Sequence, residues 1–430
     1  MDPRTALALA RFGLGRCPAE EIPDDPVSWL TAQLGASAPA PAPPMPGTAD
    51  GLLALREDRA ALRAGLPGGA ARALLHQGAV AATGALLDTR APLRERLVWL
   101  WANHFTVSRR RPVLAPLVFP YVEEAIRPHV TGRFADMLLA VARHPAMLLY
   151  LDAAASVGPD SPVGQRRQRG LNENFARECL ELHTVGRDAG YTQADVTAFA
   201  AVLTGWSIDR DAPAPGFAFF PARHQPGVKT VMGQRVAEGE AGGIGFLCWL
   251  GTHPATCRRL AATLARHFIA DAPPPDAVGR IAAVLNATGG DLGAAMRAVL
   301  AEPAAWQGPG KLRTPFDYAV AVLRALDLPP ERRPSLLAVT AALGQPWLDA
   351  PLPDGWSDQA AAWDDGELLL RRADWALRVA GRADAADPLD LAAATLGPFC
   401  DAATVQALRR AASRREALAL LFAAPAFFRR

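Results

Sequence analysis

Hydrophobic positions along the chain recur mainly with a helical period, most plainly between Leu171 and Trp206. Phe175, Cys179 and Leu182 stand at i, i+4 and i+7, a spacing that puts them on one face of an α-helix. Gly186 stands where a glycine can end that helix by taking a left-handed conformation. A short Arg-Asp-Ala-Gly link follows. Thr192 and Asp195 then have the spacing of a capping box, in which hydroxyl and carboxylate satisfy free amides at a helix start. A second helix is therefore expected to run toward Thr204-Gly205-Trp206, making an αα-hairpin.

The same pattern predicts helices over most of the chain. Segments near Thr5–Leu14 and Pro26–Leu34 precede the Ala/Pro-rich stretch Ala36–Gly47, where repeated prolines forbid helix. Leu52 to Asp88 reads as helix broken near Pro67-Gly-Gly. Pro92 suits the first turn of a helix whose face carries Leu97, Trp101, His104 and Phe105. Phe134–Ala142 follows, then a glycine- and arginine-bearing loop from Ala153 to Gly170. Phe217-Ala-Phe-Phe and Lys229-Thr-Val-Met are the strand-like runs and predict one small β-hairpin with His224 at its tip. Helices then alternate with Pro/Gly breaks, among them Pro254–Ile269. The long loop Gly344–Asp365 carries Trp347, Trp356 and Trp363 and is expected to be pinned by them. The predicted fold is mainly α, a multi-helix single domain over 50–430 with an N-terminal helical extension and Pro-rich loop over 1–49.

Composition narrows the function classes. The 430 residues are 50% hydrophobic and 20% charged, with a net charge of +2, which is globular and gives no case for nucleic acid. Lysine occurs only at 229 and 311, so arginine abundance reads as base composition before it reads as phosphate binding. The five cysteines contain no Cys-x-x-Cys pair and indicate neither a disulfide framework nor structural zinc. Arg11 interrupts the short apolar N-terminal patch, and no apolar run reaches the ~20 residues a bilayer requires. A cytoplasmic setting is the expectation, with export beside a signal-bearing partner as the alternative. Nucleotide-binding glycine loops, G-x-S-x-G and H-E-x-x-H are all missing from the sequence.

The candidate chemistry lies on the central helix. At about 100° per residue, Asn174, Glu178 and Glu181 share a stripe beside the apolar face. His183 lies on the opposite flank and turns inward only if the last turn loosens. Carboxylates at such an edge can hold a metal or move protons. Glu173 and Arg177, and Arg177 and Glu181, are equally i,i+4 pairs of the kind that decorate a solvated helix. His104, on an apolar face, becomes a ligand or a base if Glu178 or Glu181 packs opposite, and a core histidine otherwise. His104, Glu178 and Glu181 are the expected ligands of a divalent metal, and His183 joins them as a catalytic candidate. Asn174, His224 and Lys229 are the binding candidates. His144 and His253, each before a proline, read as helix caps.

Several stretches together resemble one known family. Asn172-Glu-Asn-Phe-Ala-Arg-Glu-Cys-Leu-Glu-Leu-His-Thr-Val-Gly186, Gly190-Tyr-Thr-Gln-Ala-Asp-Val196 and Leu203-Thr-Gly-Trp206 are similar to the bacterial family known as domain of unknown function 1800. So are Ala10-Arg-Phe-Gly-Leu-Gly15, Trp101-Ala-Asn-His-Phe-Thr-Val107, His144-Pro-Ala-Met-Leu-Leu-Tyr-Leu-Asp152, His253-Pro-Ala-Thr256 and Pro353-Asp-Gly-Trp356. The resemblance implies a mostly helical fold and carries no settled activity. Genes of the family often neighbour those of sulfatase- or phosphatase-like proteins, which implies such a partner. Two departures stand out: His224-Gln225 where members often have His-Asp, and Cys179 in place of a usual leucine. Two functions are expected from all this. One is a metal-dependent enzyme with a His/carboxylate site on the Asn172–His183 helix; the other is a non-catalytic partner or scaffold for a sulfatase/phosphatase-like hydrolase.

Overall fold

The structure, a computed structural model, describes residues 1–430 except 19, 22, 36–43, 169, 309 and 384–386. Most of the Ala36–Gly47 linker expected from its prolines lies outside the described residues. Helix dominates, as the periodicity requires: 21 α-helical segments are accompanied, among the described residues, by two antiparallel two-stranded sheets. The break at Pro67-Gly-Gly separates the helices Thr48–Arg63 and Ala70–Asp88, and Pro92 opens the helix Pro92–His104. His144 and His253 cap their helices, Nδ1 accepting from the amides of Ala146 at 3.1 Å and Ala255 at 3.2 Å. Among the described residues no helix is long and apolar enough to cross a membrane.

One apolar core runs through these helices. Trp101, Phe105 and Phe134 are fully buried together, Phe105 and Phe134 stacking at 5.6 Å. The N-terminal segment joins the same core. Phe12 is buried against Phe268 at 5.7 Å and Trp306 at 4.9 Å, and the Arg11 guanidinium donates to the Ala305 carbonyl at 2.6 Å.

The central hairpin keeps its expected outline and changes in detail. Thr192 and Asp195 form the capping box, and the second helix runs Gln193–Leu203. Glu173 stitches the two arms, accepting from Arg177 at 2.9 Å, Gln193 at 2.8 Å and Thr197 at 2.6 Å. The first arm is α-helical only over Asn174–Glu178 and widens to a π-turn over Cys179–His183. The wide turn is closed by the Thr184 hydroxyl donating to the Cys179 carbonyl at 2.6 Å and the Gly186 amide donating to Leu180 at 2.9 Å. A π-turn takes in an extra residue, which rotates whatever follows it around the axis. His183 is carried inward by this loosening and is buried.

The strand region differs from the single hairpin expected. Phe217 belongs to Gly216–Phe219, which pairs with Trp206–Asp209; Lys229–Val231 pairs instead with Gln234–Val236. Each ladder closes over a shorter connection than the Pro221–Gly227 stretch would need, the second over the two-residue turn Met232-Gly233.

Candidate functional site

A cleft of about 510 Å³ opens at the C-terminal end of the Pro92–His104 helix. That volume suits a small molecule. One wall is the end of this helix with Asn103 and His104; the second is a stripe of the Pro254–Phe268 helix carrying Arg259, Thr263 and Arg266. The loop through Trp347, Asp354 and Trp356 closes the third side.

Asn103 locks that loop in place. Its side-chain amide donates to the Trp356 carbonyl at 2.8 Å and its Oδ1 accepts from the Trp356 amide at 2.8 Å. Gly355 makes the approach feasible. It stands at φ +79°, and a Cβ there would meet the Asn103 carbonyl oxygen at 2.5 Å and the Thr106 hydroxyl at 2.7 Å. Trp347, 4% exposed, anchors the start of the loop between Trp99 at 4.8 Å and Phe119 at 5.0 Å. The expected pinning by tryptophan is therefore present, and Trp347 and Trp356 line the cleft as well.

His104 is the imidazole on this wall. Its Nε2 lies 3.0 Å from the carbonyl of His183, and a carbonyl only accepts, so the hydrogen sits on Nε2. Nδ1 then carries the lone pair, and no protein group bonds to it among the described residues. Burial lowers the pKa to about 4; the His183 carbonyl opposes this, while Arg259 and Arg266 push further in the same direction. Trp101 and Phe105 pack edge-on to the ring at 5.4 and 4.7 Å and hold its plane. The His183 ring, 5.1 Å from Phe105, is sealed in with neither nitrogen bonded among the described residues, and burial holds it neutral.

The carboxylates do not gather around His104. Among the described residues no group of three or more His, Cys, Asp or Glu is arranged to hold a metal, so His104, Glu178 and Glu181 form no ligand set. Glu181 pairs with Arg187 instead. Glu178 is half-buried without a hydrogen bond among the described residues, and burial, then Glu181, raise its carboxyl above the ordinary value. Asp354 on the cleft wall contributes to the same shift. Asn174 is exposed at the first helical position, away from the cleft lining.

His224 and Lys229 are bound to each other rather than to the cleft. His224 Nδ1 donates to the Thr204 carbonyl at 2.8 Å, and Nε2 accepts from the Gly239 amide at 3.0 Å and from Lys229 Nζ at 3.1 Å. Lys229 also donates to the Gln225 carbonyl. The group ties the two small sheets together.

Sequence reasoning passed over Asn103, Arg259, Arg266, Asp317 and His267. Asp317 starts a helix at the cleft floor, where Arg96 and Arg430 each reach it at 3.1 Å. Burial pushes its carboxyl up, but Arg96, Arg430 and Arg313 outweigh that and hold it below the ordinary range. The available signal was the i, i+4, i+7 spacing of Arg259, Thr263 and Arg266, a polar stripe on a helix otherwise read only for its apolar face.

The fold and cleft together define a mainly helical protein with a small-molecule-sized site that carries the neutral His104 on its wall. Its stretches meet there from distant parts of the chain. The chain belongs to the family described as protein of unknown function (DUF1800), whose model matches residues 7–429. No curated protein and no solved structure matches it.

Proposed function

We propose that this protein is an enzyme in which His104 exchanges a proton with a small molecule bound in the cleft. The observation that carries this reading is the free Nδ1 of His104, set where three distant stretches meet. The His183 carbonyl fixes the tautomer, Asn103 holds the Trp356 loop, and the lone pair is left without a protein partner. Two structural histidines spend both nitrogens, His144 on Ala146 and Thr48 and His224 on Thr204 and Gly239, while His183, with neither nitrogen bonded among the described residues, is buried outside the cleft lining. His104 spends one.

A histidine so oriented accepts a proton at Nδ1 and returns it, which supplies about 10²–10⁴-fold of rate in general acid–base catalysis. Glu178, its carboxyl raised by burial and then by Glu181, is a second ionisable group, just outside the cleft lining. The expected divalent-metal version of this reading lacks its ligand set, so the step assigned here is proton transfer by His104 itself.

His104→Gln tests it, because the amide can still donate to the His183 carbonyl but has no basic nitrogen. Each protein is incubated with a mixture of cellular metabolites, and consumption is followed by mass spectrometry. Wild type is expected to consume at least one component, and the folded variant to do so about 10²-fold more slowly or worse. Equal consumption by both, or none by wild type, contradicts the proposal. In that case the chain reads as a non-catalytic partner for a sulfatase- or phosphatase-like hydrolase, a role that needs no basic nitrogen at 104.

A further inference from the structure

We infer that the cleft is built for an oxyanion-bearing small molecule, whose carboxylate, sulfate or phosphate group is held by Arg259 with Arg266 beside it. The inference rests on the cleft being the functional site and adds the class of ligand that fills it. Arg259 is half-buried on the cleft wall, and its guanidinium has no ion pair or hydrogen bond among the described residues. Of the other charged groups lining the cleft, Asp354 is exposed and unpaired among the described residues, and the buried ones of the floor are matched. Asp317 is shared by Arg96 and Arg430, while Asp358 faces Arg266 at 3.3 Å and Lys311 at 3.9 Å.

The position of Arg259 is prepared rather than accidental. Gly186 ends the π-turn at φ +84°, and a Cβ on it would stand 3.0 Å from Arg259 Nη1. The turn that orients His104 thus also leaves the space this guanidinium occupies. A planar fork of donors without an acceptor is the usual receptor for a carboxylate or phosphate-like group.

The surrounding wall points the same way. Arg430 can only donate to His267 Nδ1, at 3.5 Å, so His267 carries its hydrogen on Nε2, where it finds no acceptor among the described residues. The indole N–H groups of Trp347 and Trp356 are likewise buried without acceptors. These donors are sealed into the wall. They leave the positive ends of their dipoles uncompensated around the cleft and favour a negative occupant. Bound beside Arg259, the anion also offsets one of the charges that disfavour a proton on His104. Ligand binding and proton uptake at His104 are then coupled.

Thermal melts in low-chloride buffer at constant ionic strength test the inference, with sodium sulfate, phosphate and acetate as separate probes. Wild type is expected to be stabilised saturably by at least one, and the ranking identifies the group. Arg259→Gln should weaken that response at least about tenfold, whereas exposed Arg258→Gln should leave it unchanged. An unsaturable response, or one equal in all three proteins, overturns the inference. A second measurement needs no variant: phenylglyoxal modification mapped by mass spectrometry should show the effective anion protecting Arg259 and not Arg258. Equal or absent protection overturns the inference. Anion binding with no turnover that depends on His104 supports the subsite and contradicts only the acid–base reading; such turnover without anion binding does the reverse.

Discussion

Asn103 shows how much one side chain can settle. It stands beside the histidine that would do the chemistry, yet its role is to hold a loop 253 residues further along the chain. Both of its bonds go to the backbone of Trp356, one given and one received, each at 2.8 Å. Alanine at 103 leaves a backbone amide and a carbonyl without their partners. Such losses cost about 1–3 kcal/mol where water cannot replace the bond. Asn103→Ala is therefore expected to lower stability by about that amount. It should also speed amide hydrogen exchange at Trp356 while leaving the Gln193–Leu203 helix unaffected. Equal protection of Trp356 in both proteins would show that the tryptophans alone hold the loop.

At the scale of elements, the legible and illegible parts separate by physical cause. Helix positions, the Thr192–Asp195 capping box and the histidine caps before Pro145 and Pro254 followed from period and local chemistry, because each is decided within a few residues. The π-turn at Cys179–His183 was visible only as a condition: His183 turns inward if the last turn loosens. It does loosen, through Thr184 and Gly186, whose bonds close the wide turn. The strand pairing differs from the expected hairpin because two short runs of similar character can pair with several neighbours, and only tertiary context selects among them. For the site, His104 was legible from its place on an apolar helix face. Its partner was not, since a backbone carbonyl leaves no mark in sequence. The carboxylates expected opposite it are occupied elsewhere or stand apart, Glu181 with Arg187 and Glu178 near Asp354.

On the scale of the whole molecule, burial of histidine makes stability depend on pH. Burial lowers the pKa of His104 to about 4 and also depresses those of His144, His183 and His267. The unfolded chain binds protons at these rings near pH 6.5, before the folded protein does, so stability rises with pH in this window. It is complete above about pH 6.5 and is lost as pH falls toward the folded values, by up to about 1.4 kcal/mol per pH unit for each such ring. Melting temperature should accordingly begin to fall between pH 7 and 5, ahead of carboxylates such as Asp317 that their arginines hold low. A melting temperature constant from pH 7.5 to 5 would contradict the neutral burial of these rings.

All three scales meet in the state of one imidazole. Long-range ¹⁵N–¹H correlation spectra of histidine-labelled protein, with His104→Gln to assign the signal, read its tautomer and titration directly. The predicted spectrum at pH 7 is a neutral ring protonated on Nε2, with Nδ1 free and protonation only near pH 4. A hydrogen on Nδ1, or a ring already charged at pH 6, would contradict the claim that the fold keeps a basic nitrogen free in the cleft.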